Sequence, residues 1–320
     1  METQEYVRGL KSFQSFTEDI KNERLFHSIM LINGDGEFLR VYSKLLAGEI
    51  LSQKSEDKNL TLLKVDKEIH PDMVILGREK PLDADDARDI VSTSLIAPYE
   101  GDKKVYIIER FDEMQPTPAN KLLKTIEEPS RCVTFILLVK NETRVLQTLK
   151  SRSQKFYLEG FSSDVISEIL RDDGEKDYSL IAMQSGNSLE KARKLSSGGN
   201  SRELFKFVVN VFHNLKKTTD LIKFCAKSEN FKDDNKEMFS LFSSVAEMAI
   251  RRKAGKCDNI PENLLNDIDL IMKEWNYLGL VGVIEASVVA LKMIESYVQF
   301  SNCVDSFFLK ILEVRRKCRQ

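Results

Sequence analysis

In the first half of the chain, short apolar runs alternate with longer stretches in which apolar residues recur every three or four positions. The runs are rich in β-branched residues, which favours strands, whereas residues 38–52 and 83–97 have the spacing of helices. Strands that are apolar along their whole length and separated by helices are typical of a parallel sheet covered on both faces. The predicted strands are residues 29–33, 73–76, 105–109, 133–139 and 155–158.

The pattern changes at Gly160, after which the chain has only helical spacing. The first stretch beyond it offers too little apolar surface for an independent core and is interpreted as a small satellite domain. The glycine- and serine-rich run 196–201 is the predicted linker to a larger helical region. The fold class is therefore α/β plus all-α. The predicted domains are an α/β domain over residues 1–159, a small helical domain over 160–199 and a helical domain over 200–320.

Beyond the predicted linker, apolar residues form regular stripes at three- and four-residue spacing. Packing into the core of a helical domain is the ordinary interpretation of such stripes. The alternative, which the sequence leaves open, is that part of one stripe contacts a partner subunit. The stripes are Leu204, Phe207, Val208, Val211, Phe212 and Leu215; Phe239, Phe242, Val245 and Ala249; and Val304, Phe307, Phe308, Ile311 and Leu312.

The composition of the 320 residues restricts the possible functions. The hydrophobic and charged fractions are those of ordinary soluble domains, and a net charge of −2 provides no general attraction to nucleic acid or membranes. No membrane span or secretory pattern is visible, so we expect a cytoplasmic protein without membrane contact. The cysteines are far apart and in no metal-ligand spacing, which indicates free thiols and no metal site. They are Cys132, Cys225, Cys257, Cys303 and Cys318.

The turn after the first predicted strand lies where a phosphate-binding loop would connect a strand to a helix. Such a loop has the pattern G-x-x-x-x-G-K-[ST], in which backbone N–H groups surround the phosphates, the lysine reaches the terminal phosphate and the hydroxyl binds Mg²⁺. Gly34 begins the pattern, but Leu39, Arg40 and Val41 occupy the positions of the second glycine, the lysine and the hydroxyl residue. Valine cannot bind a metal ion, and leucine is costly in the positive-φ turn expected there.

The charges in the same region also disfavour a nucleotide. Asp35 and Glu37 place two carboxylates where phosphates would lie. At the end of the strand 105–109, nucleotide hydrolases carry an acidic pair that binds Mg²⁺ and orients water, whereas this chain has Glu109 followed by Arg110. Because both parts of the site fail together, we expect that the chain binds no nucleotide and needs no other cofactor.

Four further motifs follow one another along the chain: residues 70–72 (HPD), 98–109 (PYEGDKKVYIIE), 119–129 (ANKLLKTIEEP) and 151–153 (SRS). They resemble the H-P-D, P-x-E-G-x-x-K-V-x-I-I, A-A-N-A-L-L-K-T-L-E-E-P and Ser-Arg-Cys motifs of bacterial clamp-loader subunits, which are AAA+ proteins. The resemblance implies a RecA-like AAA+ domain, a small helical lid and a C-terminal helical collar domain through which subunits oligomerise. Taken by itself, His70 before a proline indicates a turn or strand entry rather than catalysis.

Departures from the family's motifs select among its members. The motor subunits, gamma and tau, keep an intact phosphate loop, whereas delta-prime subunits commonly lack it and retain the arginine of Ser-Arg-Cys. This chain is similar to the delta-prime group, which implies a subunit of the DNA polymerase III clamp loader that acts as a stator. The implied partners are the motor and delta subunits, with the sliding clamp and primed DNA reached only within the complex.

Arg152 is the residue to which the resemblance assigns chemistry. In the family, the corresponding arginine projects toward ATP held by the neighbouring motor subunit, which implies a catalytic arginine finger acting in trans. The other interpretation is a surface arginine in an ordinary ion pair. Ser153 replaces the family's cysteine next to it. A lid arginine that contacts nucleotide in active relatives corresponds here to Leu189 or Glu190, in agreement with a silent site.

Two other functions stay open at this point. An ATP-binding motor subunit with a divergent phosphate loop would hydrolyse ATP in spite of residues 39–41. A stand-alone adaptor or DNA-binding protein would reuse the fold, with the basic runs 251–253 and 315–317 as contacts, although such runs are usually solvated faces. Co-purification with other clamp-loader subunits would distinguish the clamp-loader function from the stand-alone one.

Overall fold

The five predicted strands form one parallel sheet in a computed structural model of the chain. Their order across the sheet is β2-β3-β4-β1-β5. The three central strands are buried along their whole length, whereas the edge strands are partly exposed, as the apolar runs predicted. The α/β part of the predicted fold class is therefore confirmed. The strands are β1 (Ser28–Ile32), β2 (Met73–Leu76), β3 (Lys104–Ile108), β4 (Val133–Val139) and β5 (Gln154–Tyr157).

The register of the sheet brings the segments after three strands to one edge. Ile32 at the end of β1 lies beside Val139 at the end of β4, and Ile108 at the end of β3 lies beside Leu137. In open parallel sheets, ligands bind outside the carboxyl ends of the strands. The residues that follow β1, β3 and β4 therefore share the edge at which a nucleotide would bind.

The structure describes residues 3–172, 178, 181, 182, 185–198, 201–255 and 262–317. The chain divides into an α/β unit, residues 1–161 with 188–190, and a helical unit, residues 162–187 with 191–320. Cys257, Cys318 and residues 199–200 of the predicted linker lie outside the described residues. The division into three domains remains a prediction.

Helices flank the sheet of the α/β unit, and two of them precede the first strand without having been predicted. The second of these buries Phe13 and Phe16, whose rings lie 5.4 and 6.1 Å from the ring of Tyr42 in the first helix after β1. Aromatic pairs at such distances stabilise the packing of the elements that carry them. The helices are α1 (Thr3–Gly9), α2 (Lys11–Lys21), α3 (Gly36–Ser52), α4 (Lys58–Asp66), α5 (Ala84–Thr93), α6 (Pro116–Glu127) and α7 (Gln147–Lys150).

The His-Pro-Asp motif connects the start of β2 to the loop before β3. The fully buried carboxylate of Asp72 accepts hydrogen bonds from the backbone N–H groups of Tyr99 and Glu100, each at 2.7 Å. The backbone N–H of Asp72 donates to Nδ1 of His70 at 3.1 Å, and burial lowers the pKa of this histidine, which favours the neutral ring that can accept the bond. Two of the motifs recognised in the sequence therefore meet in one structural contact.

The helical unit has a core built from the three predicted stripes. Leu280, Val283, Ala286 and Ala290 of the helix Tyr277–Glu295, α14, are buried in this core. By length and composition alone α14 could cross a membrane, since its mean hydropathy is 1.8, but its buried face is that of a core helix. The helices are α8 (Ser163–Asp172), α9 (Leu189–Gly198), which begins in the α/β unit, α10 (Ser201–Asn214), α11 (Thr218–Ser228), α12 (Asn235–Lys253), α13 (Glu262–Glu274), α14 (Tyr277–Glu295) and α15 (Phe300–Lys317).

The prediction of a solvated face at residues 315–317 is wrong for Arg315, which is buried. One terminal nitrogen of Arg315 donates to the backbone oxygen of His213 at 3.1 Å and to Oε2 of Glu274 at 2.9 Å, and the other donates to the backbone oxygen of Phe212. The guanidinium also lies 4.8 Å from the centre of the Trp275 ring. Because the carbonyls at a helix C-terminus lack partners, a cation placed there stabilises the end of α10.

We expect Asp72→Asn to lower the free energy of unfolding of the α/β unit by about 1–3 kcal/mol, because an amide can accept only one of the two backbone hydrogen bonds and its NH₂ faces the other donor. Urea denaturation of the purified chain measures the loss. The matched control is Asp89→Asn on the exposed surface of α5, which should stay within about 0.5 kcal/mol of the wild type. Equal stability of both variants would contradict this role of Asp72.

Candidate functional site

The segment aligned with a phosphate-binding loop is the start of a helix. The carboxylate of Asp35 accepts hydrogen bonds from the backbone N–H groups of Glu37 at 2.9 Å and Phe38 at 3.2 Å, so that α3 begins at Gly36. Residues 39–41 therefore lie inside the helix. The expectation of a strained positive-φ turn at residue 39 is wrong, because the capped helix begins before that position.

The first backbone N–H of α3 is also bound by a carboxylate of the chain itself. Gly36 donates to Oε2 of Glu190 at 3.2 Å, and Nζ of Lys140, which follows β4, donates to the same oxygen at 2.7 Å. The backbone N–H of Leu189 donates to the buried carboxylate of Asp35 at 2.5 Å. A phosphate at a helix N-terminus binds through these backbone donors. In this chain, two carboxylates already occupy them.

Glu109, expected in the position of a metal-binding carboxylate, lies between two arginines. Its side chain is 5% exposed, and its oxygens accept from Nε of Arg40 at 2.6 Å and Nε of Arg78 at 3.2 Å. Arg78 also donates two hydrogen bonds to the carboxylate of Glu68, at 2.8 and 3.2 Å, and these bonds hold the pKa of Glu68 below its usual value. Gly77 has a φ of +81°, and a Cβ there would lie 2.3 Å from the carbonyl oxygen of Glu109, so only glycine allows this approach. The network neutralises the charge that a metal ion would otherwise meet.

Arg110, expected in the position of the water-orienting carboxylate, is bound to neighbouring groups in the chain. Its Nε and Nη2 donate to Glu113 at 3.0 and 2.6 Å, and its Nη1 donates to the backbone oxygen of Glu79 at 2.7 Å. A cavity of about 270 Å³ remains between these charged groups. Small-molecule sites usually range from about 300 to 1,000 Å³. This cavity is therefore small and lined by paired charges, whereas a neighbouring cavity of about 540 Å³ shares Arg40 and Arg78 with it.

Arg152 lies at the surface just after α7, and its side chain is 32% exposed. Its Nε donates to Oε2 of Glu127 at 2.7 Å, and its Nη1 donates to the backbone oxygen of Thr148 at 3.0 Å. Among the residues that the structure describes, its Nη2 has no hydrogen-bond partner. The hydroxyl of Ser153 lies 2.9 Å from that of Ser28 at the start of β1, which connects this segment to the sheet.

The sequence identified two parts of a possible nucleotide site, the turn after β1 and the end of β3. Both lie at the carboxyl edge of the sheet, called here the nucleotide edge, where the fold brings Arg40 and Glu109 into direct contact. Gly34 lies in the turn before α3, and Val41 lines the cavity of about 540 Å³ rather than the one of about 270 Å³. Sequence reasoning missed Arg78, Lys140 and the bond between Glu127 and Arg152. A glycine directly after β2 was the available signal for the first of these. Lys140 carried no signal beyond its place after a strand. Glu127 stood within a recognised motif, but its individual role could not be read there.

The fold defines the class of protein: an α/β module with a five-stranded parallel sheet, whose charged side chains at the carboxyl edge are paired with one another. Residues 10–162 match the family described as DNA polymerase III, delta subunit. The chain is 28% identical over 204 residues to DNA polymerase III subunit delta' of Pseudomonas aeruginosa, covering 59% of this chain and 62% of that protein. It is 25% identical over 203 residues to subunit gamma of Buchnera aphidicola, covering 58% and 54%.

The chain thus spans between about half and two thirds of the length of these relatives. Among solved structures, that of a DNA polymerase III gamma subunit-related protein from Thermotoga maritima covers 96% of this chain and 99% of its own, at 17% identity and a TM-score of 0.44. The family match and the delta' relatives confirm the resemblance to clamp-loader subunits of the delta-prime type.

We expect isothermal titration of the isolated chain with Mg-ATP, up to millimolar concentration, to give no binding heat. The reason is that Asp35 and Glu190 occupy the backbone donors that a phosphate needs, while Arg40 is paired with Glu109. Glu190→Ala is the control. It frees Gly36 and Lys140 but leaves the Asp35 cap and the missing metal ligand unchanged, so it should not restore binding. A micromolar dissociation constant for the wild-type chain would show that the site is open.

Proposed function

We propose that the chain is a delta-prime-type subunit of the DNA polymerase III clamp loader that binds no ATP itself and offers Arg152 to ATP bound by a neighbouring motor subunit. The observation that carries the proposal is the contrast between two arginine environments. Arg40, in the position of the phosphate-binding lysine, is paired with a buried carboxylate of its own chain. Arg152 instead keeps one terminal nitrogen without a partner among the described residues, at the protein surface.

The chemistry proposed for Arg152 is stabilisation of a transition state in trans. A guanidinium placed against the transferred phosphoryl group stabilises the charge that develops on its oxygens, an effect of roughly 10³–10⁵ in rate in well-studied cases. The planar group can hold two neighbouring acceptors at once, which an ammonium cannot. Since this chain's own nucleotide edge is filled, the group acts on hydrolysis only across a subunit boundary.

The relatives bear the names of both gamma and delta' subunits, and the filled site favours the delta' role. A subunit without nucleotide would be a fixed stator against which the motor subunits move. Its partners would be the gamma or tau and delta subunits, and it would meet the sliding clamp and primed DNA only as part of the complex. A role in DNA replication places it in the cytoplasm.

The observations weigh against the two other functions. A divergent motor subunit would need donors and a metal ligand that are already used by Asp35, Glu190 and two arginines. A stand-alone DNA-binding protein would need free basic groups. In the two basic runs, Arg252 instead pairs with Asp269 at 3.0 Å, Arg315 is buried, and Nζ of Lys253 donates to backbone oxygens.

We assign assembly mainly to the helices beyond residue 201. A groove of about 380 Å³ lies between α14 and α15, and its apolar lining includes Val289 and Leu309, which are 54% and 50% exposed. Exposed apolar side chains that lie together are characteristic of protein contact surfaces. The proposed occupant is the helical tail of a neighbouring clamp-loader subunit.

We expect Arg152→Ala to leave assembly intact and to slow the ATPase of the reconstituted complex. The substitution removes a surface cation and no core volume, so folding should change little. The loss should occur at the one motor site that faces this subunit. Total turnover then falls severalfold if the sites act independently, and further if they are coupled. Clamp-stimulated ATPase of the complex with motor and delta subunits measures it.

Two further variants define the result for Arg152. Arg152→Lys should rescue turnover poorly, because a point charge lacks the planar fork of donors. Arg131→Ala removes another exposed arginine of the same unit and should have no effect. Wild-type turnover in a fully assembled Arg152→Ala complex would mean that Arg152 is an ordinary surface residue.

We expect Leu309→Glu to weaken entry of the chain into the complex by about tenfold or more, because docking would bury an unpaired carboxylate. Analytical ultracentrifugation with the partner subunits measures this association. Point variants are preferable to deletion from residue 201, which would cut through the helical unit. Ile222→Glu is the control, since Ile222 is 66% exposed on α11 and does not line the groove. Equal association of both variants would locate the main contacts elsewhere.

A further inference from the structure

We propose that Glu127 is a positioning residue that holds Arg152 ready to meet the neighbouring subunit's ATP. This inference rests on the proposed function of Arg152 and adds to it the group that sets the orientation of the guanidinium. The observation is an ion pair of 2.7 Å between Oε2 of Glu127 and Nε of Arg152. The two residues are 25 positions apart in sequence, so the fold rather than the local chain brings them together.

The bonds to Arg152 occupy one part of the guanidinium and leave another part available. Glu127 binds Nε, and the backbone oxygen of Thr148 binds Nη1 at 3.0 Å. Because the guanidinium is planar, two bonds to different nitrogens fix the plane and its rotation. Nη2 is then the nitrogen without a hydrogen-bond partner among the described residues. The arrangement orients the group without using all of its donors.

Both partners of Arg152 are carried by anchored helices. Glu127 is the last residue of α6, directly after the buried Ile126, and Thr148 precedes the buried Leu149 in α7. Groups on rigid elements keep their geometry more closely than groups on loops. The backbone is therefore anchored at both positions, and the guanidinium is bound to one side-chain acceptor and one backbone acceptor that begin from these anchored positions.

The position of Glu127 is unfavourable for its own helix, which argues for a role outside it. The C-terminal end of a helix carries partial negative charge, so a carboxylate there destabilises the helix slightly. The ion pair does not offset this strongly, because the side chains of Arg152 and Glu127 are 32% and 51% exposed and such pairs contribute little to stability. The proposed orientation of Arg152 accounts for a carboxylate at this place.

Orientation affects catalysis through the entropy of the arginine side chain. A free arginine must lose its rotamer freedom when it meets the neighbouring phosphate, whereas a pre-oriented one has lost most of it already. Removing Glu127 should therefore slow the chemical step without changing the affinity of the motor subunit for ATP. If Glu127 instead shielded the arginine, its removal would make hydrolysis faster.

The test uses Glu127→Ala and Glu127→Gln in the complex reconstituted with motor and delta subunits. Glu127→Ala should lower kcat at the facing site by about two- to fivefold, the size of an exposed ion pair, with an unchanged KM for ATP. Glu127→Gln keeps one acceptor and should lie between Ala and wild type. The double variant with Arg152→Ala should be no slower than Arg152→Ala alone. Thermal unfolding of Glu127→Ala should be unchanged or occur at slightly higher temperature.

The matched control is Glu128→Ala, which removes the adjacent exposed carboxylate, for which the described residues include no ion pair. It should leave kcat and KM unchanged. Wild-type or faster turnover of Glu127→Ala, in a complex that Arg152→Ala slows, would overturn the role of Glu127 alone. An additive loss in the double variant would do the same. If Arg152→Ala itself has no effect, the proposed function fails and the role of Glu127 fails with it.

Discussion

The nucleotide edge of this protein depends on one buried carboxylate, that of Glu109. A carboxylate that is 5% exposed is costly by several kcal/mol unless oppositely charged groups bind it. Arg40 from α3 and Arg78 from the segment after β2 provide those groups, and Arg78 is held in turn by Glu68. Glu109 and the two arginines neutralise one another. No metal ion is therefore needed to balance the charge of the carboxylate, and no phosphate is needed to balance the charge of the arginines.

At the start of α3 the charges are reversed: the backbone N–H groups carry the positive charge, and carboxylates of the chain bind them. The positive end of a helix favours an anion, and in nucleotide-binding proteins that anion is a phosphate. Here Asp35 and Glu190 serve as the anions. Restoring a nucleotide site would therefore require several coordinated changes, because the backbone donors at the start of α3 and the carboxylate of Glu109 are each bound by other groups of the chain. An edge fixed in this way suits a subunit whose proposed role is to present an arginine rather than to respond to ATP.

In the helical unit, local sequence patterns predicted the apolar core but not which groups the charged side chains bind. The stripes that contain Phe207, Phe242 and Phe308 pack together as their spacing predicted, because apolar burial follows helical periodicity. Arg315 was misjudged, since its partners lie far away along the chain: His213 at the end of α10 is 102 residues away, and Glu274 on α13 is 41 residues away. A basic run is usually interpreted as a solvated face, because the local sequence does not show that backbone carbonyls far along the chain will accept its hydrogen bonds.

The sequence by itself determined the strands, the two-part fold class, the resemblance to clamp-loader subunits and the failure of the phosphate-binding pattern. These follow from local periodicity and from residue types at fixed spacing, such as Val41 in place of a hydroxyl residue. Only the tertiary structure decided that Glu190 binds the start of α3 and that Glu127 binds Arg152. With 48 basic and 50 acidic side chains, composition allows very many pairings, and short-range spacing does not choose among them. The choice is made by the packing of the helices and strands, which brings particular charges within hydrogen-bond distance.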